Sequence, residues 1–240
     1  MELKGKVAIV TGSTKGIGLA IAEALVARGT SVVVSSRHDD EIQAVVKRLR
    51  GSGEPRVVGK ACDVQRAEQV QDLIRFAVSE LGGLDILINN AGIGQFRYVE
   101  EMTPEHWRRV LGTNLDSLFY GCHFAIPEMK RRGAGFIINI GSLAGRNAFP
   151  GGAAYNASKF GVIGFSEALM QKIRHDDIQV AYIMPGSVDT WFGGSAPSGG
   201  DSWKLSGQDV AQVTVETLSR SPQCLTSRIE MRPAKPPKKA

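Results

Sequence analysis

Tyr155 and Lys159 stand four residues apart in the run Tyr155-Asn156-Ala157-Ser158-Lys159. On a helix that spacing puts a phenol and an ammonium on one face, within reach of each other. A free tyrosine has a pKa of about 10, which makes it a poor base and a slow acid at neutral pH. A fixed cation beside it favours the phenolate and draws that value towards the working range. The pair can therefore serve as a proton-transfer device. Taken alone it is a common pairing on amphipathic helices, and the rest of the chain must supply its meaning.

A second constellation lies near the N-terminus. Thr11-Gly12-Ser13-Thr14-Lys15-Gly16-Ile17-Gly18 follows the apolar, β-branched run Val7-Ala8-Ile9-Val10 and precedes a segment of helical periodicity, Ile17 to Arg28. Glycines at a strand-to-helix turn let phosphates approach the backbone, and the helix N-terminus adds aligned N–H donors. The spacing is G-x-x-x-G-x-G, not the commoner G-x-G-x-x-G. The next apolar run ends Val34-Ser35-Ser36-Arg37, with no carboxylate before Asp39. An acidic residue there would hold the free ribose 2′-hydroxyl of NAD, whereas an arginine accommodates the 2′-phosphate of NADP. Arg37 and Lys15, read as two cations without an opposing carboxylate, predict NADP(H). The plainer alternative is two solvated surface charges.

The elements that position these residues alternate. Strands are expected over 7–10, 31–35, 56–60, 84–88, 136–140, 179–183 and, more exposed, 224–231. Helices are expected over 17–28, 39–49, 67–81, from Thr103-Pro104 onward, over 155–173, and after Ser206, whose spacing to Asp209 is that of a capping box. Such alternation predicts an α/β fold: one doubly wound, Rossmann-type domain with a mostly parallel sheet and helices on both faces. The expected domain runs over residues 1–232, with a flexible, basic, Pro-rich tail over 233–240 carrying Lys235, Lys238 and Lys239. Gly193 to Ser202 reads as a mobile loop.

Bulk properties narrow the function. The 240 residues carry a net charge of +5, 42% hydrophobic and 22% charged residues, an ordinary balance for a soluble domain. The basic residues form no stripe with interleaved aromatics, so nucleic acid is not an expected partner. No apolar run approaches membrane-spanning length, and Met1 to Lys6 has no signal-peptide pattern. Cys62, Cys122 and Cys224 have no metal or redox spacing, and together these features predict a cytoplasmic protein with free thiols. His38, His106, His123 and His175 are scattered, so no catalytic metal is expected, although His38 lies beside Arg37.

Taken in order, the motifs resemble those of the short-chain dehydrogenase/reductase family, 3-oxoacyl-acyl-carrier-protein reductases among them. They are Thr11-Gly12 with Gly16 and Gly18, Asn89-Asn90-Ala91-Gly92, Asn114, Ser142, Tyr155 with Lys159, and Pro185-Gly186 with Val188 and Thr190. The resemblance implies an enzyme that reduces a ketone, or oxidises an alcohol or hydroxy acid, by hydride transfer with NADP(H). Tyr155 would be the general acid and Ser142 would orient the substrate oxygen. Lys159 would bind the nicotinamide ribose and lower the pKa of Tyr155, and Asn114 would hold a relay water. The cofactor would also touch Gly12, Ser13, Thr14, Lys15, Gly16, Ile17 and Gly18, with Ser36 and Arg37 at the ribose phosphate. Asp63 and Val64 would meet the adenine, and Asn90, with Ala91 and Gly92, the adenosine ribose. Pro185, Gly186, Val188 and Thr190 would lie along the nicotinamide. A small-molecule substrate, an acyl-carrier-protein thioester and a homodimer or homotetramer are implied partners.

Beyond Thr190 the resemblance loosens. Trp191, Phe192 and Trp203 could cover an apolar ketone or anchor their loop to the core, and Leu143, Ala144, Asn147 and Phe149 could line the same pocket. Phe165, Leu169 and Met170, on the Tyr155 helix, read as core or subunit contacts.

Overall fold

The computed structural model describes residues 1–51, 53, 55–194, 196–198, 203–221 and 223–237. Lys238 and Lys239 of the basic tail lie outside the described residues, as do Ser195, Gly199, Gly200, Asp201 and Ser202 of the Gly193–Ser202 segment.

Seven strands make one sheet: β1 (Val7–Thr11), β2 (Ser31–Ser36), β3 (Val57–Ala61), β4 (Ile86–Asn89), β5 (Gly135–Ile140), β6 (Ile178–Pro185) and β7 (Arg228–Met231). Their order is β3-β2-β1-β4-β5-β6-β7, and all six pairings are parallel. The chain winds outward from β1 to β3, returns to the centre at β4, and winds outward the other way. The reversal between β1 and β4 leaves a crevice beyond the carboxyl ends of the central strands, where doubly wound folds take their ligands.

The helices are α1 (Gly16–Val26), α2 (Asp39–Leu49), α3 (Ala67–Leu81), α4 (Pro104–Leu111), α5 (Ser117–Arg132), α6 (Ala153–Ile173) and α7 (Gly207–Leu218). They cover both faces of the sheet, which explains the near-continuous apolar runs of the central strands. Along β1, Ala8 and Val10 face the core layer shared with α1, α2 and α7. Ile9 points the opposite way, into the layer shared with α3 and α5. In β4, Ile86 and Ile88 join the first layer and Leu87 the second. Phe165, Leu169 and Met170 pack partly buried against the second layer.

The expected doubly wound α/β architecture is the one observed, with a sheet that is wholly parallel. Two differences stand out. After Thr103 the sequence reading has a single helix, whereas the structure has α4 and α5 joined by a π-helical turn over Gly112–Asp116. Pro127 inside α5 and its weakly patterned polar face hide that helix from periodicity. The last strand begins at Arg228, not at 224, because pairing with β6 starts only at Tyr182↔Arg228. The capping box at Ser206 and Asp209 is formed: Asp209 N–H donates to Ser206 Oγ at 3.1 Å, and Ser206 N–H donates to Asp209 Oδ2 at 2.7 Å.

Candidate active site

A single cleft runs across the carboxyl ends of β1, β4, β5 and β6. It is lined by Gly12, Thr14, Lys15, Gly16 and Ile17 at one end, by Ser36, Arg37, Asp63 and Val64 beside them, and by Asn90, Ala91 and Gly92 at the centre. Ser142, Tyr155, Lys159, Pro185, Gly186, Val188 and Thr190 line the other end. Residues as distant in sequence as Thr14 and Thr190 thus line one cleft.

The glycine-rich turn is shaped by φ angles of 64° at Gly12 and 59° at Gly16, which disfavour any side chain. Gly18 is needed for another reason. A Cβ there would lie 2.3 Å from the Gly12 carbonyl oxygen and 2.4 Å from Asn90 Nδ2. Asn90 fastens this turn to β4 by donating to the Thr11 and Gly12 carbonyls at 2.8 and 3.1 Å. The Thr11 hydroxyl accepts in return from the backbone N–H of Asn90 and of Ala91, both at 3.0 Å. This is a cradle that a pyrophosphate fits, open to the N-terminus of α1.

Three residues expected at the cofactor or the reaction do not line the cleft. Ser13 is fully buried; its hydroxyl donates to Val10 O at 2.7 Å and accepts from Ser35 N–H at 2.9 Å, tying the turn to β1 and β2. Gly18 lies behind the turn. Asn114 is fully buried in the π turn. Its amide donates to Ile93 O and Ser158 Oγ at 2.9 and 3.1 Å, and its carbonyl oxygen accepts from Ile93 N–H at 2.8 Å. The side chain is thus engaged in bracing the segment after β4 against α6.

Tyr155 and Lys159 lie on the first turns of α6, both almost fully buried. The Lys159 ammonium donates to Ile140 O at 3.0 Å and sits 5.8 Å from the centroid of the Tyr155 ring. Burial pushes Lys159 down to about 8. Burial also raises the Tyr155 phenol above its ordinary value, and Ser142 draws it only part-way back. This reverses the expectation that Lys159 lowers the phenol in the protein alone. The ammonium is aimed at a β5 carbonyl and itself carries a weakened hold on its proton, so desolvation of the phenol wins. Ser142 follows β5 in extended conformation and caps a short 3₁₀ turn, its Oγ accepting from Ala144 N–H at 3.1 Å.

Three phenylalanines surround the phenol. Phe96 meets the Tyr155 ring edge-on at 5.4 Å, Phe192 lies 5.7 Å away, and Phe149 lies 6.5 Å away. All three remain 40% or more exposed, an apolar rim around a buried hydroxyl. Of Leu143, Ala144, Asn147 and Phe149, the aromatic ring of Phe149 is the one that meets Tyr155. Leu143 packs towards Gly186, Ala144 is buried, and Asn147 bonds back to Leu143 O. Trp191 lines the cleft and Trp203 does not.

Some lining residues escape sequence reasoning. Cys62, Gln65, Ile93, Thr113, Ile140 and Gly141 carry no motif signal, since only strand ends brought together by the sheet place them there. Glu41 is a more pointed omission. Its carboxylate accepts from the Thr14 hydroxyl at 2.8 Å and lies 3.8 Å from Lys15 Nζ. The expectation of two cations with no opposing carboxylate is therefore corrected: the start of α2 brings one to Lys15. Among the described residues Arg37 faces the cleft without an ion-pair partner, with His38 beside it, and no group of three or more His, Cys, Asp or Glu side chains is placed to hold a metal.

Residues 6–199 match the family model described as short chain dehydrogenase. The chain belongs to this family. Within it, the chain is 38% identical over 188 residues to a D-beta-hydroxybutyrate dehydrogenase of Cupriavidus necator, covering 78% of this chain and 72% of that one. It is 36% identical over 190 residues to a 3-oxoacyl-acyl-carrier-protein reductase of Vibrio cholerae, covering 79% and 76%. An alcohol dehydrogenase of the archaeon Thermococcus sibiricus, solved with 5-hydroxy-NADP, superposes with a TM-score of 0.89 at 26% identity, covering 98% of this chain and 99% of that one. A short-chain dehydrogenase/reductase of Burkholderia phymatum, solved with NAD, superposes at 0.85 and 26% identity, covering 98% and 90%. This short-chain dehydrogenase is an oxidoreductase, and of the two structural neighbours one is solved with an NADP derivative and the other with NAD.

Proposed function

We propose that the protein is an NADP(H)-dependent carbonyl reductase acting on a small ketone or a 3-oxoacyl thioester. The observation that carries this reading is the convergence of Ser142, Tyr155 and Lys159 on the same cleft as the glycine-rich turn. Arg37, facing that cleft without a carboxylate of its own, supports the 2′-phosphorylated dinucleotide. The bound dinucleotide supplies the hydride. Tyr155 gives its proton to the substrate oxygen as negative charge develops there, and the Ser142 hydroxyl holds that oxygen in line. Lys159 anchors the nicotinamide ribose hydroxyls, and its charge stabilises the phenolate left behind. Asn114 is a positioning residue that fixes Ser158 and the Ile93 backbone against α6.

The Phe96, Phe149 and Phe192 rim favours substrates whose carbonyl is flanked by apolar groups. The likeness to a hydroxybutyrate dehydrogenase supports a second reading, oxidation of an alcohol or hydroxy acid. Reduction consumes a proton and oxidation releases one, so the two directions respond oppositely to pH. A nucleotide-sensing protein without turnover is a weaker reading, since Ser142, Tyr155 and Lys159 are all retained. The reading places the enzyme in the cytoplasm. No helix among the described residues is long and apolar enough to cross a membrane.

Absorbance of NADPH, followed against a panel of ketones and 3-oxoacyl thioesters, tests the proposal. Reduction is expected to hold across neutral pH, with the reverse oxidation climbing as the medium becomes alkaline. Tyr155→Phe should lose turnover by roughly 10²- to 10⁴-fold, the usual contribution of a positioned acid, and still bind NADPH. A variant that keeps substantial turnover refutes the acid assignment.

A further inference from the structure

Glu41 sits in the first turn of α2, four residues after Arg37, and reaches across to the glycine-rich turn. Its Oε2 accepts from the Thr14 hydroxyl at 2.8 Å, and its Oε1 lies 3.8 Å from Lys15 Nζ. Both partners belong to the wall where the adenosine end of a dinucleotide must pass. The Lys15 side chain is 60% exposed and that of Glu41 37%, so the pair is wet and contributes little to folding. Its charge matters more to an approaching anion. A phosphate on the adenosine ribose brings nearly two negative charges into a corner that already holds one. A free ribose hydroxyl brings none, and can donate to a carboxylate.

We infer that Glu41 sets the dinucleotide preference of this cleft, engaging Lys15 in competition with a 2′-phosphate and offering an acceptor to an unphosphorylated 2′-hydroxyl. The inference rests on the proposed NADP(H) reading and deepens it. Arg37 attracts the 2′-phosphate, Glu41 opposes it, and the wild-type protein therefore binds both dinucleotides with only a modest preference for the phosphorylated one. Lys15 is the shared partner: when the phosphate is present its ammonium must turn from the Glu41 carboxylate, and when it is absent the pair persists. The Thr14 hydroxyl remains as a second hold on the carboxylate in both cases.

The test is titration of the wild type and of Glu41→Gln with NADPH, NADH, 2′,5′-ADP and 5′-ADP, by nucleotide fluorescence or calorimetry. Glutamine keeps an acceptor for Thr14 and removes only the charge, and a melting curve checks that the variant folds. NADPH and 2′,5′-ADP are expected to bind about five- to tenfold more tightly to Glu41→Gln, a change of about 1 kcal/mol. NADH and 5′-ADP should be unchanged or up to about twofold weaker. Placing Glu41→Gln in a Lys15→Gln background should abolish most of the gain, because the competition has lost its object. An unchanged preference, or weaker NADPH binding in Glu41→Gln, overturns the inference while leaving the reductase reading intact. Wild-type protein that binds neither dinucleotide overturns both.

Discussion

Lys159 is an ammonium held where water barely reaches, satisfied by one carbonyl at 3.0 Å. Its downward shift to about 8 has a thermodynamic consequence. Between pH 8 and the unfolded value near 10.5 the unfolded chain binds more protons than the folded one, so stability rises with pH across that window. Below pH 8 both states carry the charge and the full penalty of burying it is present. Lys159→Met removes that penalty and one hydrogen bond. It should be more stable than wild type at pH 7 by about 2 kcal/mol, with the advantage shrinking towards pH 10. Urea unfolding at the two pH values measures this. A variant less stable than wild type at pH 7 would mean that the buried ammonium is net favourable. Tyr155 carries the complementary lesson: the same desolvation that weakens the hold of Lys159 on its proton strengthens that of the phenol, so each group alone is moved towards its neutral form.

At the scale of elements, the junction of β1, α1 and β4 fixes the cradle. Thr11, Gly12, Gly18 and Asn90 are packed so closely there that the position of α1 depends on the absence of a side chain at Gly18. Gly18→Ala would set a methyl against the Gly12 carbonyl and the Asn90 amide. It should lower stability by about 2 kcal/mol, as overpacked sites do, and weaken dinucleotide binding at least tenfold. Thermal unfolding and nucleotide titration read the two effects separately. An alanine variant with wild-type melting and binding would show that α1 is free to shift. Gly12 and Gly16 are visible in the sequence because the turn itself demands their positive φ, and Asn90 because it stands in a recognisable motif. The π turn at Asn114 is not, since its irregular backbone is set by the fit of α4 and of the turn itself against α6.

At the scale of the molecule, α4, α5 and α6 leave large apolar groups uncovered. Trp107 is 40% exposed, Phe119 51% and Phe160 47%. We propose that this face joins copies of the chain, which would brace from outside the helix that carries Tyr155. Native mass spectrometry should find a dimer or tetramer, and Phe119→Glu with Phe160→Glu should release smaller species with lower turnover. A wild-type monomer at micromolar concentration would refute the interface.

The sequence by itself determined the winding of the fold, through alternating apolar runs and helical periods, and most of the residues that meet in the cleft. Local patterns suffice for the strands, the helices and the glycine-rich turn, which are enforced within a few residues of chain, whereas Asp63, Asn90, Ser142 and Val188 were legible only through the resemblance of their motifs to a family. Only tertiary structure decided what those groups do to one another. Glu41 is four residues from Arg37 in sequence, but its meeting with Lys15 depends on how the start of α2 is placed beside the glycine-rich turn. The direction of the Tyr155 shift depends on burial of the phenol among distant segments, with Ser142 opposing it from the end of β5. Electrostatic shifts follow from distance and exclusion of water, and neither is fixed until the whole chain has closed around the site.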